Sequence, residues 1–354
     1  MTSLGAQAER GASVHAEIAH APTLNFAMEQ AGVPVVTGAR ITNTGGVALD
    51  GLQLFVGIEP GIAPRAPHAL ARLRAGVSID VGTVDVRLQP GRLRAVLEAE
   101  RAELDWEIRH AETVLARGQG RIDVLAHNEW AGLRAPPALL ASFVTPNEPV
   151  IAGVLRRVRD RLRLVTGDGA ITGYQRRSEE RVRAMVRALY DTLQSFGVSY
   201  VGVPASFEAV GQKVRLAETV LRESLGNCLD ITVLVASCLE QMGLSPLIVI
   251  QNGHAFPGVW LIDERFHEGV VYDLARLRNA VALEQLVFFD SSTLVHDPPV
   301  PLDVAERVAR DALSKDVEFL CALDIPVARR DRYRPLPLRD AVVDRGTGIG
   351  SGGA

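Results

Sequence analysis

Three residues in the second half of the chain have the types that nucleophilic acyl chemistry needs: Cys228, His254 and Asp290. Cys228 follows Gly226-Asn227 and opens the stretch CLDITVLVASCLEQ, which reads as a helix apolar nearly all round, hence buried. Asn227 suits the N-cap, and Asp230 three residues on can close a capping box. A thiol there lies by the free N–H groups and positive end of the helix, which favour the reactive thiolate; the charge of Asp230 partly offsets this. His254 opens a strand after Asn252-Gly253 and is a base for the thiol. Asp290 ends the strand in VFFDSST. A carboxylate there can hold the imidazole in one tautomer and stabilise its charged form. Asp273, in VVYDL, is nearer to His254 in sequence and is the rival for that role. Gln212, sixteen residues before Cys228, is a further candidate, as a donor to an oxyanion.

Each residue also has a plainer reading. Cysteine is often a small inert core residue. A histidine at a strand edge can simply bond backbone, an aspartate at a strand end can start a turn, and Gln212 can sit in a surface loop. What sets the group apart is its order: cysteine at the head of a buried helix, then histidine and aspartate on successive strands.

The elements that must position these residues follow from hydrophobic period and turn signals. The helix of 228–242 stops at Gly243. LSPLIVIQNG and HAFPGVWLID predict adjacent strands, and a third, LEQLVFFDSST, follows a short helix near 274–281. A final helix, PLDVAERVARDALSK, is expected to close the domain. Upstream, Val182, Met185, Val186, Leu189, Leu193 and Phe196 recur at three and four residues along one helix face. A short strand, SYVGV, and a helix, LAETVLRESLG, come between.

The first half is punctuated by Gly and Pro and reads as short strands: VVTGARITNTGG and LDGLQLFVGIEP around an Asn-Thr-Gly-Gly turn, then VSIDVGTVDVRL, AELDWEIRH, ETVLARG and RIDVLAH. GRLRAVLEAE is more helical. The expected architecture is α+β: a mobile tail over 1–24, an antiparallel β-sandwich over 25–127, a linker over 128–150, an α+β domain over 151–325 with its central helix on an antiparallel sheet, and a C-terminal tail over 326–354.

LGNCLDITVLVASCLEQMGL followed by GHAFPGVWL resembles the transglutaminase-like superfamily, whose cysteine heads a helix and whose histidine and aspartate follow on adjacent strands. Phe289-Asp290-Ser291-Ser292-Thr293 is similar to that family's Asp-Pro-Thr-like segment, without the proline, which favours Asp290 over Asp273. The succession of a β-rich region, NEWAGLRAPPALLASFVTPN, GQKVRLAETVLRESLGNCLD, NGHAFPGVWL and HDPPVP also resembles the N-terminal region of very large bacterial superfamily-one helicase proteins, over roughly 30–335. The resemblance implies kinship with that region, not a motor. Neither Lys213 nor Lys315, the two lysines, lies in a phosphate-binding loop. A stand-alone or a truncated relative is expected.

The bulk numbers narrow the classes. The chain has 354 residues, which suits two domains, and a net charge of -4, which argues against a nucleic-acid surface. The arginine stretch Arg156, Arg157, Arg159, Arg161 and Arg163 reads as a solvated helix face, diluted by Asp160 and Asp168. Three widely spaced cysteines, Cys228, Cys238 and Cys321, do not make a disulfide framework. No leader is visible and no apolar stretch is long enough to span a bilayer, so a reducing cytoplasmic setting is expected, with no membrane contact. No zinc spacing occurs, and the G-x-G-x-x-G at 348–353 has no helix after it, so neither a metal nor a cofactor is expected. His15 and His20 fall in the expected tail; Trp106 and Trp130 read as core.

Two functions follow. One is a cysteine hydrolase or acyltransferase acting on an amide of a protein or peptide, with Cys228 attacking, His254 moving the proton and Asp290 orienting it. The other is a non-catalytic interaction or sensor module in a larger assembly, keeping the fold alone.

Overall fold

The computed structural model describes residues 2–5, 14–202, 204 and 206–337. The chain mixes helices with several sheets.

In the first half, the strands are β1 (Thr2–Gly5), β2 (Val14–His20), β3 (Thr23–Leu24), β4 (Val36–Asn43), β5 (Leu52–Glu59), β6 (Ala63–Ala69), β7 (Ser78–Asp80), β8 (Glu100–His110) and β9 (Thr113–Val124), with short helices α1 (Phe26–Gln30) and α2 (Pro90–Arg94). They form two sheets, ordered β1-β2-β4-β7 and β3-β9-β8-β5-β6. All neighbours are antiparallel except β3 and β9. The strand period of two sends Val14, Ala16 and Ile18 of β2 and Leu104, Trp106 and Ile108 of β8 into one apolar core.

Four expectations for this half change. Residues 14–24, expected in a mobile tail, form β2 and β3; β2 is an inner strand because its alternate residues are apolar, and His20 is buried. The Asn-Thr-Gly-Gly segment does not make a hairpin, since β4 and β5 lie in different sheets. Asn43 is buried and holds the crossing: its side chain accepts from Gly45 N at 2.9 Å and donates to the carbonyls of Val47 at 2.7 Å and Leu73 at 3.1 Å. ETVLARG and RIDVLAH are one strand, β9, because Gly118 faces Trp106 across the ladder and leaves room for the indole. GRLRAVLEAE yields only the single turn of α2 before β8 begins.

Residues 128–150 are not an exposed linker. They contain β10 (Glu129–Trp130) and 3-10 turns over Gly132–Arg134 and Pro137–Phe143. The prolines keep the segment irregular, while Leu139, Leu140, Phe143 and Val144 are buried. The apolar core is therefore continuous from the first half into the second, where it includes Cys228, Leu229 and Ile248.

The second half continues with α3 (Pro149–Thr166), α4 (Glu179–Gln194), β11 (Ser199–Tyr200), α5 (Phe207–Val210), β12 (Gln212–Lys213), α6 (Ala217–Glu223), β13 (Leu225–Gly226), α7 (Cys228–Gln241), β14 (Pro246–Gln251), β15 (His254–Trp260), β16 (Val270–Val271), α8 (Leu274–Ala282), β17 (Leu286–Phe288), α9 (Leu302–Leu313), β18 (Phe319–Asp324) and α10 (Ile325–Arg330). The antiparallel sheet is ordered β16-β18-β14-β15-β17. Helix α7 packs on β14 and β15 from one side and meets α3 and α6 on the other, so every residue from Cys228 to Leu239 is buried. Its polar members bond inside the fold: Thr232 Oγ1 donates to Ala255 O at 3.1 Å, and Ser237 Oγ to Val233 O at 2.8 Å.

Helix α9 does not close the fold. Strand β18 follows it and inserts between β16 and β14, where Ala322 and Leu323 are buried. Part of the expected C-terminal tail is core as well. Val327, Ala328 and Leu336 are buried, and Arg329 ties α10 to Glu240 at 2.9 Å and to the Val144 carbonyl at 2.7 Å. Residues 338–354, with the glycine-rich 348–353, lie outside the described residues.

Candidate functional site

Cys228 is the first residue of α7 and is fully buried. The capping box in front of it is complete: Asn227 Oδ1 accepts from Asp230 N at 3.0 Å, and Asp230 Oδ2 from Asn227 N at 3.1 Å. Asp230 also accepts from Arg215 N at 2.9 Å and Arg215 Nη1 at 3.0 Å. Burial pushes the Asp230 carboxyl up, and those three donors, with the Arg215 charge, pull it back. Its charge is thus spent on the cap and on Arg215, which limits the offset expected at the thiol.

His254 begins β15, where Gln251 and His254 close the hairpin with β14. The turn needs Gly253 at φ +70°, and Gly253 N donates to Glu208 Oε2 at 3.2 Å. Asp290 follows β17, which pairs with β15 so that Phe288 lies opposite Gly258. A Cβ at Gly258 would overlap the Phe288 ring, so glycine sets this close approach. Asp290 N donates to Ala305 O of α9 at 3.1 Å, anchoring the strand end.

These elements bring the two side chains together: His254 Nε2 and Asp290 Oδ2 are 2.8 Å apart, with the imidazole 26% and the carboxylate 6% exposed. The other carboxylate oxygen accepts from Ser292 N at 2.8 Å and Ser292 Oγ at 2.6 Å. Burial works against the Asp290 carboxylate, but His254 and the two Ser292 donors outweigh it and its pKa is lowered. Burial also disfavours the imidazolium. Hydrogen bonds to Asp290 and to the Cys228 thiol, with the charges of both, override it and lift His254 to about 10. With Nε2 given to Asp290, Nδ1 is the ring atom left for the thiol. Asp273, the rival, is instead the N-cap of α8, accepting from Ala275 N at 2.9 Å, and is exposed.

Gln212 is buried, not in a surface loop, and exchanges hydrogen bonds with the cap residue: its Nε2 donates to Asn227 Oδ1 at 3.3 Å and Asn227 Nδ2 to its Oε1 at 3.2 Å. It therefore braces the residue before Cys228. Ser291 and Thr232 brace the other side. Their hydroxyls are 2.9 Å apart, and Ser291 Oγ donates to Cys228 O at 3.3 Å.

Sequence reasoning missed Tyr200. Strands β11 and β13 run parallel with Tyr200 opposite Gly226, and Val201 N donates to Gly226 O at 3.0 Å. This brings the Tyr200 phenol next to Cys228. Burial first, then the sulfur's charge, push the phenol up to about 12, so it stays a protonated donor. No short-range pattern could have flagged Tyr200, because its approach depends on a strand pair between 199–200 and 225–226.

Among the described residues, no cluster of three or more His, Cys, Asp or Glu is placed to hold a metal ion, and no helix is long and apolar enough to cross a membrane.

No protein-family model matches the chain, and no curated protein sequence matches it. Among solved structures, the chain is similar to a Parabacteroides distasonis protein provisionally assigned as a protease, at 15% identity and a TM-score of 0.21. The match covers 62% of this chain and 43% of that one, so the present chain spans less than half of that protein.

Proposed function

We propose that the protein is a transglutaminase-like cysteine hydrolase or acyltransferase acting on an amide of a protein or peptide. The observation that carries this is the His254 imidazole bonded to the Asp290 carboxylate at 2.8 Å and near enough to Cys228, at the head of α7, for that residue to raise its pKa.

In this reading the Cys228 thiolate adds to the amide carbonyl and the His254 imidazolium gives its proton to the leaving amine, leaving a thioester on sulfur. His254 then takes a proton from water as the water oxygen adds to the thioester. The carboxylic acid leaves and the thiol is restored. An amine in place of water gives transfer instead of hydrolysis. Water needs no second binding site, which favours hydrolysis. Asp290 orients the imidazole, and backbone N–H groups at the helix start, that of Cys228 among them, receive the oxyanion. The two N-terminal sheets serve as an immunoglobulin-like sandwich for docking. The resemblance to helicase-linked proteins supports a role within a larger assembly.

A second reading, a non-catalytic sensor or interaction module, is favoured by one observation: Cys228 is fully buried. The experiment that separates them is the pH dependence of Cys228 alkylation, read by mass spectrometry, in wild type and His254→Ala. Free cysteine titrates near ~8.5. Fast reaction near neutral pH, slowed by His254→Ala, supports the enzyme. A thiol that reacts no faster than Cys238 and Cys321 and ignores His254 leaves the module.

A further inference from the structure

A cleft of about 430 Å³ opens between α8, α9 and the edge strand β17, and none of Cys228, His254 or Asp290 lines it. Its floor is apolar: Leu286 and Phe288 of β17 are buried among the core residues of that face. Its walls carry three guanidinium groups, Arg183 of α4, Arg278 of α8 and Arg310 of α9, with Glu306 between them. Such a volume, with an apolar base and few convergent polar groups, is the usual form of a small-molecule site, which runs to roughly 300–1,000 Å³.

The charges are unequally committed. Arg278 donates to the Leu313 carbonyl through Nε at 2.8 Å and pairs with Asp316. Arg183 reaches Glu306 only at 3.9 Å. Arg310 forms no ion pair among the described residues, although its charge is felt at Glu306. Glu284 stands at the exposed lip, and Asp303 is drawn off by Arg307 at 3.0 Å. The three guanidinium groups outnumber the two lining carboxylates, Glu284 and Glu306, over an apolar floor. We propose that this cleft binds a small carboxylate with an apolar body, its body on Leu286 and Phe288 and its carboxylate taken by Arg310 and Arg183. A guanidinium offers two parallel donors to a carboxylate, which is why that anion fits these walls. The site is independent of the proposed chemistry at Cys228.

The test is calorimetric titration of the whole chain with 3-phenylpropionate, 3-phenylpropanamide and 3-phenylpropylamine, which share a body and differ in charge. The same series is run on Arg183→Gln/Arg310→Gln. The acid is expected to bind about tenfold or more tightly than the amide, the amine to bind no better than the amide, and the double variant to lose about tenfold for the acid while melting like wild type. The charge series on wild type stands even if the double variant folds poorly. Equal binding of all three probes, preference for the amine, no binding of any, or a folded double variant that binds the acid as wild type does would each overturn the proposal.

Discussion

His254 Nε2 and Asp290 Oδ2 meet at 2.8 Å although the residues are 36 apart in sequence, because β17 pairs with β15 and Asp290 N is anchored on Ala305 O of α9. The pair is close to closed off from water on the carboxylate side, at 6% exposure. Replacing Asp290 by Asn removes the largest influence that raises the imidazole. In Asp290→Asn, NMR titration of His254 should show its pKa moving down from about 10. Stability at neutral pH should fall by about 1.5–3 kcal/mol, the usual worth of a hydrogen bond to a charged group. An unmoved imidazole titration would show that Asp290 is not its partner.

The same pair fixes the sign of the pH dependence. His254 is raised in the folded state, from an ordinary ~6.5 to about 10. Its contribution is therefore complete below ~6.5 and is lost as pH rises through about 10. Asp290 is lowered, so its contribution is present above ~3.9 and is lost as pH falls through its folded value. Urea unfolding between these limits should show a shoulder on the alkaline side in wild type that His254→Ala lacks. Parallel curves for the two proteins would contradict this.

Tyr200 is 47% exposed as a residue, yet its phenol lies beside the buried Cys228. An exposed tyrosine thus stands next to the buried sulfur. Tyr200→Ala should raise the alkylation rate of Cys228 by about tenfold through easier access, whereas Tyr200→Phe keeps the ring and should change the rate far less. Equal rates in wild type and Tyr200→Ala would mean that reagent reaches the sulfur by another route.

Gly258 gives a packing test. Its missing Cβ is the space that the Phe288 ring occupies. Gly258→Ala should cost about 1–3 kcal/mol by overpacking, measured by urea denaturation, and should weaken the anchoring of Asp290 two residues past Phe288. Gly253→Ala, where φ is +70° but nothing lies within 4 Å of a new Cβ, should be destabilised through backbone strain alone.

The sequence by itself determined the local parts of the candidate site. Asn227, Cys228 and Asp230 announce a capped helix start, Asn252-Gly253 announces the turn before His254, and the apolar run before Asp290 announces a strand end. Caps, turns and alternation act over a few residues, so they are legible without a fold. The same local rules misplaced residues 14–24, 128–150 and 326–337, where short apolar runs become core only because distant elements cover them. Tertiary structure alone decided that β4 and β5 part into different sheets and that β18 inserts between β16 and β14. It alone decided that Gln212 braces Asn227, that Tyr200 lies next to Cys228, and that Asp290 rather than Asp273 reaches the imidazole. The physical reason is common to these: strand pairing and side-chain hydrogen bonds between distant segments are chosen by which alternatives bury the most apolar surface with the fewest polar groups left unpaired, a property of the whole chain that no local window contains.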